Sequence, residues 1–318
     1  MNVRQVIPRD AIPSVEDPEF VDSYDGRADD EVISLTVGDE TRAYPIRYLQ
    51  YHEIVNDVVD GVPVAVTWCP LCGSAVVYDR RVDGHPLEFG VSGKLADDDL
   101  VMYDRETESE WKQSLGACIA GELAGSELSV LPAAVTTWRA FSEASPDGRV
   151  MAPPGGASEA AGEGDDPEPI DYDIEPYERY FETDGYGLGA HRGTGGRDWD
   201  DSLGGVGPKS VVLGLELDGD SVGVPLSVVE SAGGVVTIDV GDESVAVFTT
   251  DAGIHAFSNP GLAFEPVGDG RTFRADGTTW DGATGEATDG RSVARVPTRR
   301  LFAFAWRDDH GSDAFYLG

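Results

Sequence analysis

The chain reads mostly in a period of two. VISLTV (Val32–Val37), the turn GDE and TRAYPI (Thr41–Ile46) alternate apolar and polar positions on either side of a turn, which predicts a hairpin. VPVAVTW (Val62–Trp68) and AVVYDRRV (Ala75–Val82) predict two more strands, the second running into the turn dipeptide Asp83-Gly84. LEFGVSG (Leu87–Gly93) and LVMYDR (Leu100–Arg105) continue the pattern. Helical spacing is confined to short stretches around Arg47–Val55 and Thr136–Ala144. Met151–Pro169 is rich in Pro, Gly, Ala and acid, with too few apolar groups to offset its ordering entropy, and reads as a linker. Ile170–Tyr186 is rich in tyrosine and suits a segment that docks on a domain, whereas His191–Gly207 is glycine-rich and reads as loop.

The pattern also repeats. VISLTVGDETRAYPIRYL, from Val32, aligns without a gap on VLGLELDGDSVGVPLSVV, from Val212, and Pro45 falls on Pro225. Val64 aligns with Val245. Trp111, Gly116 and Gly121 share their spacing with Trp280, Gly285 and Gly290, and Pro132 matches Pro297. Matches in the same order predict an internal duplication. The expected fold is therefore mainly β (β-rich α+β), with few short helices and two related β-rich domains. They would be a first domain over 1–150, an acidic linker with the tyrosine-rich segment over 151–208, and a second, degenerate repeat over 209–318.

Charge changes the functional picture. There are 59 acidic against 23 basic residues, a net charge of −36, and the only lysines are Lys94, Lys112 and Lys209. The acids are spread along the chain, a pattern that fits adaptation to high salt and an archaeal, halophilic source. Such a surface excludes nucleic acid as a partner, because phosphate contact needs basic groups. No apolar run is long enough for a transmembrane helix, and the start, MNVRQVIPRDAIPSVEDPEF, has no signal-peptide core, so the expected location is cytoplasmic. No protein partner can be named from sequence.

The candidate chemistry sits in VAVTWCPLCGSAVVYDR. Cys69 and Cys72, two of three cysteines, lie between two predicted strands at the spacing with which two thiolates grip one metal, and Gly73 permits the tight turn. There is no second such pair, so further ligands must come from elsewhere. His52 is the first candidate; Met102 and Cys118 are the others, although core packing is the ordinary role of both. Zinc and copper are the candidate ions, a thioether favouring copper. Glu53, Asn56 and Asp57 suit either orientation of His52 or capping of a helix end. The aligned second segment has TTDAG (Thr249–Gly253) in place of the thiols and nothing in place of His52, which argues that these residues serve something other than the fold. WCPLC is also the pattern of a thiol–disulfide pair, with Cys69 attacking and Cys72 resolving, but a strand rather than a helix is expected after it. A non-catalytic scaffold, with the cysteines as small core groups, is the third reading. No nucleotide-binding, serine-hydrolase or metalloprotease motif is present, so no enzyme class is assigned.

The blocks IPRDAIPSVEDPEF, RAYPIRYLQYHEIVND, VPVAVTWCPLCGSAVVYDR, LEFGVSG and LVMYDRETESEW together resemble the family catalogued as domain of unknown function 3179. The likeness is close over Val6 to Pro153 and looser through DYDIEPYERY and PKSVVLGLELDG. His52, Cys69 and Cys72 fall within its motif blocks. The resemblance implies no activity. Its members often carry an export or lipoprotein signal, so it also implies an extracytoplasmic location as the alternative.

Overall fold

The computed structural model describes residues 1–162, 166–199 and 203–318. The chain is β-rich with short helices, as the alternation predicts. The principal strands are β1 (Glu31–Val37), β2 (Glu40–Pro45), β3 (Ile54–Val59), β4 (Val62–Cys69), β5 (Ser74–Asp79), β6 (Phe89–Ala96), β7 (Asp99–Asp104), β8 (Glu110–Lys112) and β9 (Ala133–Thr137). Later come β10 (Val211–Leu217), β11 (Asp220–Pro225), β12 (Val235–Val240), β13 (Glu243–Thr250), β14 (Gly253–Ser258) and β15 (Arg299–Phe302). Of the six short α-helices among the described residues, four accompany these strands: α1 (Ile46–His52), α2 (Trp138–Ala144), α3 (Leu226–Ser231) and α4 (Ala303–His310), the other two being Glu178–Glu182 and Gly187–His191.

The order strand, strand, helix, three strands occurs twice, as β1–β2–α1–β3–β4–β5 and as β10–β11–α3–β12–β13–β14. Each passage is later followed by a strand and a helix, β9–α2 and β15–α4, entered just after Pro132 and Pro297. α1 and α3 both start directly after a proline, Pro45 and Pro225, which ends the preceding strand in extended conformation as the N-cap residue.

The strands combine across the middle of the chain. One sheet runs β11-β10-β15-β5-β4-β3, so strands from before residue 80 and after residue 210 share a ladder, with Arg300 opposite Ala75. A second sheet places β9 beside β1 and β1 beside β2. β9 in turn lies against β14, which belongs to the antiparallel meander β12-β13-β14. A third sheet contains β6, β7 and β8, with a register shift in β6 between Val91 and Lys94. The core follows from these pairings. Cys69, Cys72, Val76, Tyr78, Met102 and Trp111 share one buried cluster with Leu301, Phe304 and Trp306 from the C-terminal strand and helix.

The segment expected to be linker has some order. Ala157–Ser158 pairs with Glu168–Pro169, while 163–165 lie outside the described residues. The tyrosine-rich segment is fastened to the rest of the chain. Tyr177 and Tyr180 are buried, and the Tyr180 hydroxyl donates to the Leu71 carbonyl at 2.7 Å. Within the expected loop 191–207, residues 200–202 lie outside the described residues. No helix of the described residues is long and apolar enough to cross a membrane.

Candidate metal centre

The site is built on the β4–β5 hairpin. Cys69 is the last residue of β4 and pairs with Ser74, the first of β5, leaving Pro70–Gly73 as the loop. The backbone closes this loop at Gly73, whose φ of 55° belongs to the left-handed region. A Cβ there would stand 2.7 Å from the Phe302 ring, so only glycine fits. Three of the four loop carbonyls are engaged from outside the hairpin: Leu71 by Tyr180, Cys72 by the Phe302 amide at 2.7 Å, and Gly73 by Arg300 at 2.7 Å. The two thiols are therefore held from both halves of the chain.

The third member of the group is Asp99, the first residue of β7. One ligand atom from each of Cys69, Cys72 and Asp99 lies within 4.8 Å of the other two, and all three residues are buried. The Cys72 thiol donates to Asp99 Oδ1 at 3.3 Å and to the Asp98 carbonyl at 3.3 Å. Asp99 Oδ2 accepts the Ser114 amide at 3.0 Å, which fixes the carboxylate plane. Behind Asp99, Lys112 at the end of β8 forms a buried ion pair with Asp309 of α4, and Ser114 Oγ donates to the same Asp309 at 2.6 Å.

Electrostatics follow from burial. Burial pushes the Cys69 thiol up, opposed by its hydrogen bond with Cys72. Cys72 is pushed up further, by burial and then by Cys69. Asp99 is raised by burial and drawn back by Lys112. Burial lowers Lys112, but Asp99 and Asp309 outweigh it and hold the ammonium above its ordinary value. Lys112 is thus held by Asp309 in contact and drawn on by Asp99 and Cys72 at longer range, one cation set among several acidic groups.

Beside Cys69 opens a cavity of about 70 Å³, lined among others by Glu53, Leu71, Glu159, Tyr177 and His191. Glu53 closes α1 with φ 57° and ψ −32°, a strained conformation for a residue with a side chain. Its carboxyl has no hydrogen-bond or ion-pair partner among the described residues. Burial, then Glu159 and Asp99, raise its pKa to about 8. In the later passage of the same order, the step from α3 to β12 is Ala232-Gly233-Gly234, and both glycines have positive φ. Glycine is the easy solution for that turn, so glutamate at Glu53 is kept at a backbone cost.

The other expected ligands lie elsewhere. His52 is buried, with Nδ1 2.9 Å from the Pro13 carbonyl and Nε2 2.7 Å from the Tyr172 hydroxyl. Both ring nitrogens are used, and His52 is not part of the Cys69–Cys72–Asp99 group. Burial lowers its pKa against the Pro13 hydrogen bond. Met102 stands opposite Trp111 and three residues from Asp99, hence on the other face of β7. Cys118 is also opposite Trp111 and donates to the Ala120 carbonyl at 3.4 Å. Asp57 pairs with Arg42 and accepts from Tyr44, and Asn56 bonds Phe89 both ways, so these two neighbours of His52 serve the framework. The sequence reading omitted Asp99, Lys112 and Asp309. Lys112, one of three lysines in an acid-rich chain, was the available signal.

A family model described as Protein of unknown function (DUF3179) matches residues 9–313. No curated protein and no solved structure matches the chain.

Proposed function

We propose, taking as premise that the chain belongs to the DUF3179 family, that Cys69, Cys72 and Asp99 hold one divalent transition-metal ion. The observation that carries this reading is the convergence of two thiols and a carboxylate, within 4.8 Å of one another, in a buried place. Ligands about 2.0–2.3 Å from a tetrahedral ion lie roughly 3.3–3.8 Å from each other. The Cys72–Asp99 separation of 3.3 Å is close to that without rearrangement. An ion would also supply the positive charge that the thiolates lack. Two thiolates with one carboxylate suit zinc rather than copper, since neither thioether nor imidazole belongs to the group. The fourth position would face the small cavity beside Cys69, which has room for water or one small ligand.

Thiol–disulfide exchange is the second reading, favoured by the hydrogen-bonded proximity of the sulfurs. It is disfavoured by the direction of both thiol shifts, since an attacking thiol needs a lowered pKa. The deciding experiment is elemental analysis of protein purified without chelator, followed by cobalt(II) substitution. About one ion per chain and thiolate–cobalt charge-transfer bands are expected in the parent and in His52→Ala and Cys118→Ser. Both signals should vanish in Cys69→Ser/Cys72→Ser and weaken in Asp99→Asn. No ion and no such bands in the parent, with two thiols lost on mild oxidation, would replace the metal by the redox pair.

A further inference from the structure

A second cavity, of about 310 Å³, lies between β1, β9 and α2 on one wall and β14 with the segment 271–295 on the other. It contains none of the residues of the metal proposal. Its inner end is formed by His255 and Arg295. His255 is 1% exposed, and its Nε2 is buried with no hydrogen-bond partner. Arg295 Nη1 lies 3.5 Å from His255 Nδ1, and Nη2 donates to the Ala283 carbonyl. The guanidinium also lies 4.6 Å above the Phe257 ring.

What Arg295 lacks is an acid. In a chain of net charge −36, this half-buried arginine has no carboxylate partner among the described residues. Arg271, on the same cavity, is by contrast neutralised by Asp281 at 2.7 Å and Glu143 at 3.4 Å. Burial alone pulls Arg295 down to about 10, so it remains a cation at neutral pH. His255 is neutral there, its pKa lowered by burial and then by Arg295 and Arg271. With Nδ1 facing the guanidinium N–H as acceptor, the imidazole proton sits on Nε2. The cavity therefore offers Arg295 as a cation without an acid partner, with the unpartnered His255 N–H buried beside it, while one carboxylate, Glu286, also lies on the cavity wall. Thr136 and Thr284 add hydroxyls, and Ala140 and Ala144 add small apolar surface. A desolvated, unpaired guanidinium is costly unless an anion completes it, and its planar fork matches carboxylate and phosphate oxygens.

We propose that this cavity binds a small oxyanion, a carboxylate or a phosphate monoester, with Arg295 as its principal donor and His255 beside it. The cavity volume suits a metabolite rather than a macromolecule. The site is independent of the metal reading.

The test is isothermal titration of the full chain with inorganic phosphate and, separately, with acetate, at constant total ionic strength. Saturable one-to-one binding of at least one anion is expected, and which one binds identifies the class. Arg295→Met should weaken it at least tenfold. Thr284→Glu, which keeps Arg295 but adds a second carboxylate to the cavity wall beside Glu286, should do the same. If Arg295→Met does not fold, Thr284→Glu decides. Neither anion binding saturably to the parent, or binding unchanged in the folded variants, would overturn the proposal.

Discussion

Lys112 and Asp309 form an ion pair whose side chains are 3% and 2% exposed, joining the end of β8 to α4 across most of the chain. Asp99 acts on the same ammonium through space, without an ion-pair contact of its own, and together with Asp309 holds its pKa up. Removing one partner of a buried pair costs about 3–5 kcal/mol, because the remaining charge is left uncompensated. Lys112→Met, which leaves two buried acids facing each other, should reach that range. Asp309→Asn should cost clearly less, since Asp99 still attracts the lysine through space. Chemical denaturation in high salt measures both, and equal costs would mean that Asp99 does not share the cation.

Glu53 gives a pH prediction. Its folded pKa of about 8 lies above the ordinary 4.5, so between those values the folded state holds a proton that the unfolded state has released. Stability attributable to this group therefore falls as pH rises from about 4.5 to about 8 and is level beyond. Glu53→Gln removes the penalty. Relative to the parent, the chelator-treated variant should gain stability from pH 5 to pH 8, by an amount on the order of a few kcal/mol. A gap that is flat or reversed across that range would show Glu53 ionised in the folded chain.

The expected domain division leads to a third test. The alternation in VISLTV, VPVAVTW and LVMYDR located the strands to within a residue or two, because half-buried strands write their faces into the sequence. Which strands meet was not written there. β5 finds β15 beside it through one backbone pairing, Arg300 with Ala75, and nothing in the local pattern of either strand announces it. The duplication is an inference from aligned segments and the matching order of elements. Because β15 and α4 complete the sheet and core around Cys72, a chain ending at residue 150 should lack cooperative unfolding and dispersed amide resonances, and full-length protein should unfold the shared sheet as one unit. A well-dispersed spectrum from residues 1–150 would show that the first half folds alone.

The same limit explains the site. The thiol pair was legible because cysteine is rare here and the spacing is local. Asp99 was not, since it is the last of three successive aspartates in a chain full of acid, and what sets it apart from the also buried Asp98 is its carboxylate's contact with the Cys72 thiol. His52 drew attention by type and position, but the end of α1 turns it towards Pro13 and Tyr172.

Gly73 tests whether the loop geometry is what makes the site. Alanine there would pay for a left-handed backbone, about 1–2 kcal/mol, and would also drive its Cβ to 2.7 Å from Phe302. Phe302 cannot retreat freely, because its amide holds the Cys72 carbonyl. Relief then falls on the buried Phe302 ring and on Cys72, the neighbouring thiol that touches Asp99. Gly84 is the control: its φ is 81°, and a Cβ there meets nothing within 4 Å. Gly84→Ala should show the backbone cost alone and retain full metal content, whereas Gly73→Ala should lose more stability and weaken metal retention. Equal behaviour of the two variants would mean that the Cys72 loop is soft enough to absorb the clash, and that the thiols reach their ion without being held in place.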